Sequence, residues 1–243
     1  MLSGWSAWIV TCARMRAAQK IPDVTAIRAV LFDWRGTLVV TLEDKQWVER
    51  ALRLARRPVQ DHDVGRIVAS LRTAKEAVKR QIAWDRIDCD AGFHRAAHDR
   101  LFTAAGLDPE LADVLYAVES DHRCNPFATD ARDTLTTLKS RGVKIGILSD
   151  IHFDIRPAFA HHGLGNLVDA FVLSFEHGVQ KPDPAIFVVA LEELRVSPAE
   201  TLMVGDRASH DGAAVGLGMP TLLLPALIDT SHQRLSHVMR LAC

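Results

Sequence analysis

Four short stretches of the chain carry polar groups where an apolar run ends, and together they hold most of the chemistry the sequence offers. Asp33 follows Ala29-Val-Leu-Phe32 and leads into the turn signal Gly36-Thr37. Ser149-Asp150 follows Val143-Lys-Ile-Gly-Ile-Leu148. Lys181 lies in Gln180-Lys-Pro-Asp-Pro184, after the run Ala170-Phe-Val-Leu-Ser174. Asp206 follows Thr201-Leu-Met-Val-Gly205, with Asp211 a short way beyond it. A hydroxyl, an ammonium and several carboxylates suit an oxygen-ligated divalent cation together with a phosphoryl group. In this reading Asp33 and Asp206 bind Mg²⁺, Ser149 and Lys181 hold phosphate oxygens, and Asp150 joins Ser149 as a substrate contact.

These groups meet only if the runs that carry them are neighbouring strands aligned in one direction. Ile27 to Phe32 is rich in β-branched and large apolar residues, as expected for a central strand buried on both faces of a parallel sheet. Later strands alternate with helical stretches: Asp130 to Lys139, Ile155 to His161, Pro184 to Leu194 capped by Asp183, and Asp211 to Leu217. Ser197-Pro-Ala-Glu200 has capping-box spacing, and His161-His162-Gly163 reads as a helix C-terminus. Leu227 to Leu241 is expected to be a terminal helix. Such alternation implies a parallel, right-handed sheet whose ligands collect at its carboxyl edge.

Between Glu43 and about His122 the sequence shows helical periodicity and no convincing strand. Apolar residues at three- and four-residue spacing predict a helix around Trp47 to Ala55, a long one from Val64 to Ile82, and two more from Ala91 to Ala105 and from Pro109 onward. Four such helices can pack as a bundle. The expected organisation is an extension over 1–24, an α/β core over 25–42 and 126–243, and an inserted α-helical domain over 43–125.

The chain has 243 residues, and 29 Lys+Arg against 30 Asp+Glu leave a net charge of −1, so no global field favours nucleic acid or an anionic membrane. Cys12, Cys89, Cys124 and Cys243 form no C-x-x-C pair, which argues against a zinc knuckle or disulfide framework and for a reducing, cytoplasmic compartment. The apolar stretch Leu2 to Val10 is too short to span a bilayer, and its basic residues follow it, the wrong order for a secretory signal. It is expected to be a poorly ordered extension, with Met15 an alternative start. Oligomeric state has no signature.

From Ile27 to Leu224 the order of these motifs resembles the haloacid dehalogenase-like hydrolase superfamily. Asp33-Trp-Arg-Gly-Thr37 is similar to its first motif, Ser149 to the second, Lys181 to the third, and Gly205-Asp206 through Asp211 to the fourth. The resemblance implies a Rossmann-like sheet flanked by helices, with the helical insertion as the cap of subfamily I, and a small phosphorylated substrate. It further implies that Asp33 attacks phosphorus to form an aspartyl-phosphate that water then hydrolyses. Metal ligands would be Asp33, the backbone carbonyl of Arg35 and Asp206, and Asp211 would orient metal-bound water or Lys181.

Position 35 departs from the pattern, because phosphatases of this family usually carry there an aspartate that protonates the leaving oxygen and then activates water. A guanidinium stays protonated at ordinary pH and can do neither half of that work, which is typically worth about 10²–10⁴ in rate. Three readings accommodate Arg35. The first is a phosphatase limited to good leaving groups or helped by another acid, His152, His177 or His210. The second is a phosphonate-cleaving enzyme, similar in its Asp-Trp-x-Gly-Thr, with Lys75 or Lys79 as nominal Schiff-base lysine. The third is a catalytically weakened protein that binds a phosphorylated ligand with Arg35 as a fixed cation. Dehalogenation fits less well, having no use for the metal. His94-Arg-Ala-Ala-His98 has a spacing zinc can use on a helix, but no third ligand is evident.

Overall fold

The computed structural model describes residues 26–242, so the expectation for 1–24 lies outside the described residues. Five parallel strands form one sheet: β1 (Ala29–Phe32), β2 (Lys144–Ser149), β3 (Ala170–Leu173), β4 (Thr201–Gly205) and β5 (Thr221–Leu223), in the order β3-β2-β1-β4-β5. This is a Rossmann-like α/β architecture. β1 is central because both its faces are covered: Val30 and Phe32 pack into one apolar cluster with Leu135, Ile145 and Phe159, while Ala29 and Leu31 pack into another with Phe187, Leu191 and Met203. Complete burial of all four residues accounts for the unbroken apolar run where an exposed sheet would show alternation.

The insertion after β1 holds four helices: α1 (Asp44–Leu54), α2 (Asp61–Lys79), α3 (Ala91–Ala104) and α4 (Pro109–Glu119). Val48, Leu52, Ile67, Leu71, Leu101, Phe102 and Leu115 form a separate apolar cluster inside this insertion. Asp90 caps α3 through the Phe93 N–H, and Asp108 caps α4 through the Leu111 N–H. A short 3₁₀ segment, Trp84–Cys89, joins α2 to α3. Among the described residues no helix is long and apolar enough to cross a membrane.

The remaining helices are α5 (Ala131–Ser140), α6 (Arg156–His161), α7 (Ser174–His177), α8 (Pro184–Leu194) and α9 (Ser236–Ala242). The capping box of Ser197 and Glu200 forms over one 3₁₀ turn, and Gly163 follows α6 with the positive φ of a helix terminator. Three local expectations are modified in the structure. Ser174 opens α7 and does not extend β3, because its Oγ accepts the Ile151 N–H at 2.9 Å and donates to the Asp88 carbonyl at 2.6 Å. The segment Asp211–Leu217, which contains Gly212 and Gly216, winds as a 3₁₀ helix.

The third correction is the largest: the helix expected over Leu227 to Leu241 spans only Ser236–Ala242. Backbone groups upstream are taken by the loop after β1 and its neighbours. The Leu227 N–H donates to the Gly36 carbonyl at 2.7 Å, the Leu235 N–H to Asp130 Oδ2 at 2.8 Å, and Asp229 accepts the Ser231 N–H. The Arg234 guanidinium, almost buried, donates to the carbonyls of Thr37 (2.7 Å), Gly36 (3.3 Å) and Pro225. Replacing it should strand buried carbonyls at a cost of about 1–3 kcal/mol. Arg234→Ala is therefore expected to lower unfolding free energy in urea by that amount, and a change under about 0.5 kcal/mol, the ordinary surface value, would show that the hook carries no weight.

Candidate active site

In the parallel register Phe32 pairs with Ile147 and with Val204, so the residues that follow leave the sheet at one edge. The Asp33 N–H still donates to the Val204 carbonyl at 2.8 Å, which fixes the carboxylate just beyond the last strand residue. Gly36, at φ +81°, turns the chain there, and a Cβ on it would stand 2.5 Å from Asp206 Oδ2. Gly205 is equally constrained, since its Cβ would lie 2.2 Å from Asp211 Cγ. Glycine at both positions lets backbone approach the carboxylates that define the site.

Lys181 enters from the loop ahead of α8 and is completely buried. Its Nζ donates to Asp33 Oδ1 at 2.7 Å, Asp211 Oδ1 at 2.5 Å and the Leu148 carbonyl at 3.3 Å, which uses all three ammonium protons. Its backbone N–H donates to Asp150 Oδ1 at 2.8 Å, while Asp150 Oδ2 accepts from Arg207 at 2.9 Å. Both Asp150 oxygens are thus engaged within the protein, and the residue positions the lysine loop. Asp211 is held in the same manner, its Oδ2 accepting the N–H groups of Asp206 (3.1 Å) and Arg207 (2.9 Å). Asp33 Oδ2 carries only a long bond from Thr37 Oγ1, at 3.3 Å.

The charges do not balance inside this cluster. Asp33, Asp206 and Asp211 each offer an oxygen within 4.8 Å of the others, and the Asp206 Oδ1 atom is buried without a partner. Burial pushes the Asp33 carboxyl up to about 6 against the pull of Lys181. Burial and the neighbouring Asp211 raise Asp206. Burial also pulls Lys181 down, but Asp33, Asp150 and Asp211 outweigh it and hold the ammonium above its ordinary range. Crowded, incompletely compensated carboxylate oxygens are the donor set of a hard divalent cation, so the residues present fit Mg²⁺.

Above the cluster opens a cavity of about 500 Å³, lined from the core by Asp33, Ser149 and Arg207 and from the insertion by Lys75, Trp84, His94 and Glu119. Ser149 is buried at its floor. The Arg35 side chain turns away from the carboxylates towards the end of α4. It donates to Glu119 Oε1 at 2.5 Å, the Glu119 carbonyl at 2.6 Å and Asn125 Oδ1 at 3.4 Å, with its guanidinium against Trp34 and Phe153. Of the substitute acids considered, none lines the cavity: His152 bonds Ser120 at 2.9 Å, His210 bonds Ser209, and His177 is exposed in α7. Lys75 does line it, over the Trp84 ring, while Lys79 pairs with Glu76 on an exposed face.

Four participants escaped sequence reasoning. Thr37 and Arg207 sat inside motifs and were visible as residue types, whereas Glu119 and Arg234 act across 84 and 198 positions with no local signal. The buried ammonium yields a direct expectation. Removing one partner of such a pair costs about 3–5 kcal/mol, so Lys181→Met should lose that much in denaturant unfolding without divalent ions; a loss below about 1 kcal/mol would mean that the carboxylates are not held by it.

A family model described as haloacid dehalogenase-like hydrolase matches residues 27–216. The glyceraldehyde 3-phosphate phosphatase of Methanopyrus kandleri is 31% identical over 194 residues, 76% of this chain and 78% of that enzyme. The phosphoserine phosphatase of Thermus thermophilus is 29% identical over 118 residues, 48% of this chain and 47% of that enzyme. Among solved structures, the L-2-haloacid dehalogenase of Xanthobacter autotrophicus is similar with a TM-score of 0.58 and 25% identity, covering 82% of this chain and 77% of that one.

Proposed function

The chain belongs to the haloacid dehalogenase-like hydrolase family, and from that premise we propose that it hydrolyses small phosphate monoesters with Asp33 as nucleophile and Mg²⁺ as cofactor. The observation that carries the reading is the buried Lys181 shared by Asp33 and Asp211 beside the unpartnered Asp206 oxygen. An Asp33 oxygen attacks phosphorus, the bond from phosphorus to the ester oxygen breaks, and its electron pair leaves with the alcohol. Water then attacks the aspartyl-phosphate at phosphorus, releasing phosphate and restoring the carboxylate. Lys181 offsets charge on the nucleophile and the phosphoryl group together, and Ser149 donates to a phosphoryl oxygen. Asp33, Asp206 and the backbone carbonyl of Arg35 would hold Mg²⁺, which would supply positive charge against the phosphoryl oxygens.

The four helices α1 to α4 act as the cap, closing a cavity whose volume suits a small metabolite. Two of the relatives are named for phosphate monoesters of three-carbon compounds, and Lys75 and Arg207 supply cations for a further anionic group on such a substrate. Arg35 gives no proton to the leaving oxygen, since its guanidinium is committed to Glu119 and Asn125. Turnover should accordingly favour leaving groups that depart without one.

With Mg²⁺ present, 4-nitrophenyl phosphate is expected to be hydrolysed at least about 10²-fold faster than an alkyl phosphate, the lower end of what acid–base help is worth. Equal turnover of both would sink the missing-acid argument. Asp33→Asn is expected to abolish phosphate release, and undiminished release in that variant would end the mechanism. Lys75 in the cavity favours one second reading, phosphonate cleavage through a Schiff base on that amine. Phosphonoacetaldehyde turnover that disappears in Lys75→Met would support it, and full aryl phosphate turnover with no aldehyde product rejects it.

A further inference from the structure

Apart from the Asp33 cluster, one other group of three metal-ligating side chains converges among the described residues: Asp88, His94 and His152. They come from separate places, the 3₁₀ segment after α2, the first turn of α3 and the loop after β2. The helical spacing pointed to His94 with His98, and those rings do stack at 4.1 Å, but His98 Nδ1 faces the His94 carbonyl at 3.0 Å and the ring that shares Asp88 with His94 is His152. His94 Nε2 lies 3.8 Å and His152 Nδ1 lies 3.6 Å from the same oxygen, Asp88 Oδ1. Both distances are too long for a hydrogen bond. His152 is 3% exposed, and its Nδ1 is buried without a hydrogen-bond partner.

The opposite nitrogen of each ring is engaged. His94 Nδ1 meets the Tyr116 hydroxyl at 3.2 Å, and His152 Nε2 meets Ser120 Oγ at 2.9 Å. If each ring donates to its hydroxyl, the lone pairs of His94 Nε2 and His152 Nδ1 both face Asp88. A hydrogen-bonded outer nitrogen with a free inner one is the arrangement that fixes a metal-binding imidazole. Asp88 is anchored through its backbone, whose N–H donates to Gln180 Oε1 at 3.0 Å and whose carbonyl accepts from Ser174 Oγ at 2.6 Å.

We propose that Asp88, His94 and His152 bind a divalent transition-metal ion of the Zn²⁺ class, linking the helical insertion to the core. Two imidazoles and a carboxylate suit zinc and its neighbours and not Mg²⁺. Ligand bonds of about 2.0–2.1 Å on a tetrahedral ion separate ligand atoms by roughly 3.3 Å, so binding draws each nitrogen toward Asp88 Oδ1 by a few tenths of an ångström. It also turns the two rings out of their face-to-face stack, with centroids 3.3 Å and planes 8° apart, because parallel rings send their lone pairs side by side and not to one point. Three protein ligands leave a position open, and Asp88 and His94 line the cavity that Asp33 lines. The inference stands independently of the phosphatase reading, because it shares no ligand with the Asp33 cluster.

The test uses the full chain, stripped of metal and titrated with Co²⁺ under saturating Mg²⁺, by visible absorption and calorimetry. One Co²⁺ per chain is expected, displaced by Zn²⁺ and retained in the double variant Asp33→Asn, Asp206→Asn. His152→Gln and Asp88→Asn should weaken binding by at least about 100-fold, beyond the 10–100-fold typical of an outer partner such as Ser120. Zn²⁺ should raise the melting temperature of the wild type and leave that of His152→Gln unchanged. A measurement on the wild type needs no variant to fold: the Co²⁺ form should show two exchangeable, paramagnetically shifted imidazole N–H resonances in its proton NMR spectrum. Absence of stoichiometric Co²⁺ binding, absence of those resonances, or binding lost with Asp33 and Asp206 but kept in His152→Gln would each overturn the proposal.

Discussion

Everything at the sheet edge depends on a fully buried ammonium shared between two carboxylates. Lys181 reaches Asp33 at 2.7 Å and Asp211 at 2.5 Å from a position with no solvent exposure. An isolated charge in such a place would lose its proton instead of remaining ionised. The carboxylates reverse that tendency, and in turn need the lysine. The requirement spreads outward: Asp150 holds the lysine's backbone, Arg207 holds Asp150, and the N–H groups of Asp206 and Arg207 hold Asp211. One cation still leaves Asp206 Oδ1 unpartnered, a residual deficit of the kind that suits a divalent ion.

A second constraint joins the site to the insertion above it. Residue 35, two positions beyond the nucleophile candidate, sends its guanidinium to Glu119 at the C-terminal end of α4 and to Asn125 on the return crossing. Asn125 in turn donates to the Val40 carbonyl at 2.9 Å, on the outgoing crossing. Arg35 therefore acts as a clasp across the two connections between core and helices. A carboxylic acid at that position could move a proton but would repel Glu119. Acid–base chemistry and this clasp are alternatives, and the chain has the clasp.

The C-terminal segment supplies the matching restraint from below. Arg234 and the Leu227 N–H tie the carbonyls of Gly36 and Thr37, so the loop that carries Asp33 and Arg35 is held by residues almost at the other end of the sequence. Gly36 can sit against Asp206 because nothing projects from its Cα. The loop has few conformations left, as expected where a carboxylate must be presented in one orientation.

The sequence by itself determined the parallel α/β core, the helical insertion after the first strand, and the candidates Asp33, Ser149, Lys181, Asp206 and Asp211. Each was legible because it ends a local pattern: an apolar run of strand length, a turn glycine, an N-cap. The partners of those residues had no such pattern. Glu119 for Arg35, His152 beside His98 for His94, and the unwinding of 227–235 onto the loop after β1 all rest on contacts between remote segments. Helical spacing at His94 and His98 describes which residues share a face, yet it contains nothing about the loop that packs against that face. Local periodicity reports what a segment can form alone, while burial of charge and the satisfaction of backbone carbonyls are settled only when distant segments meet, and here they decided Arg35's role.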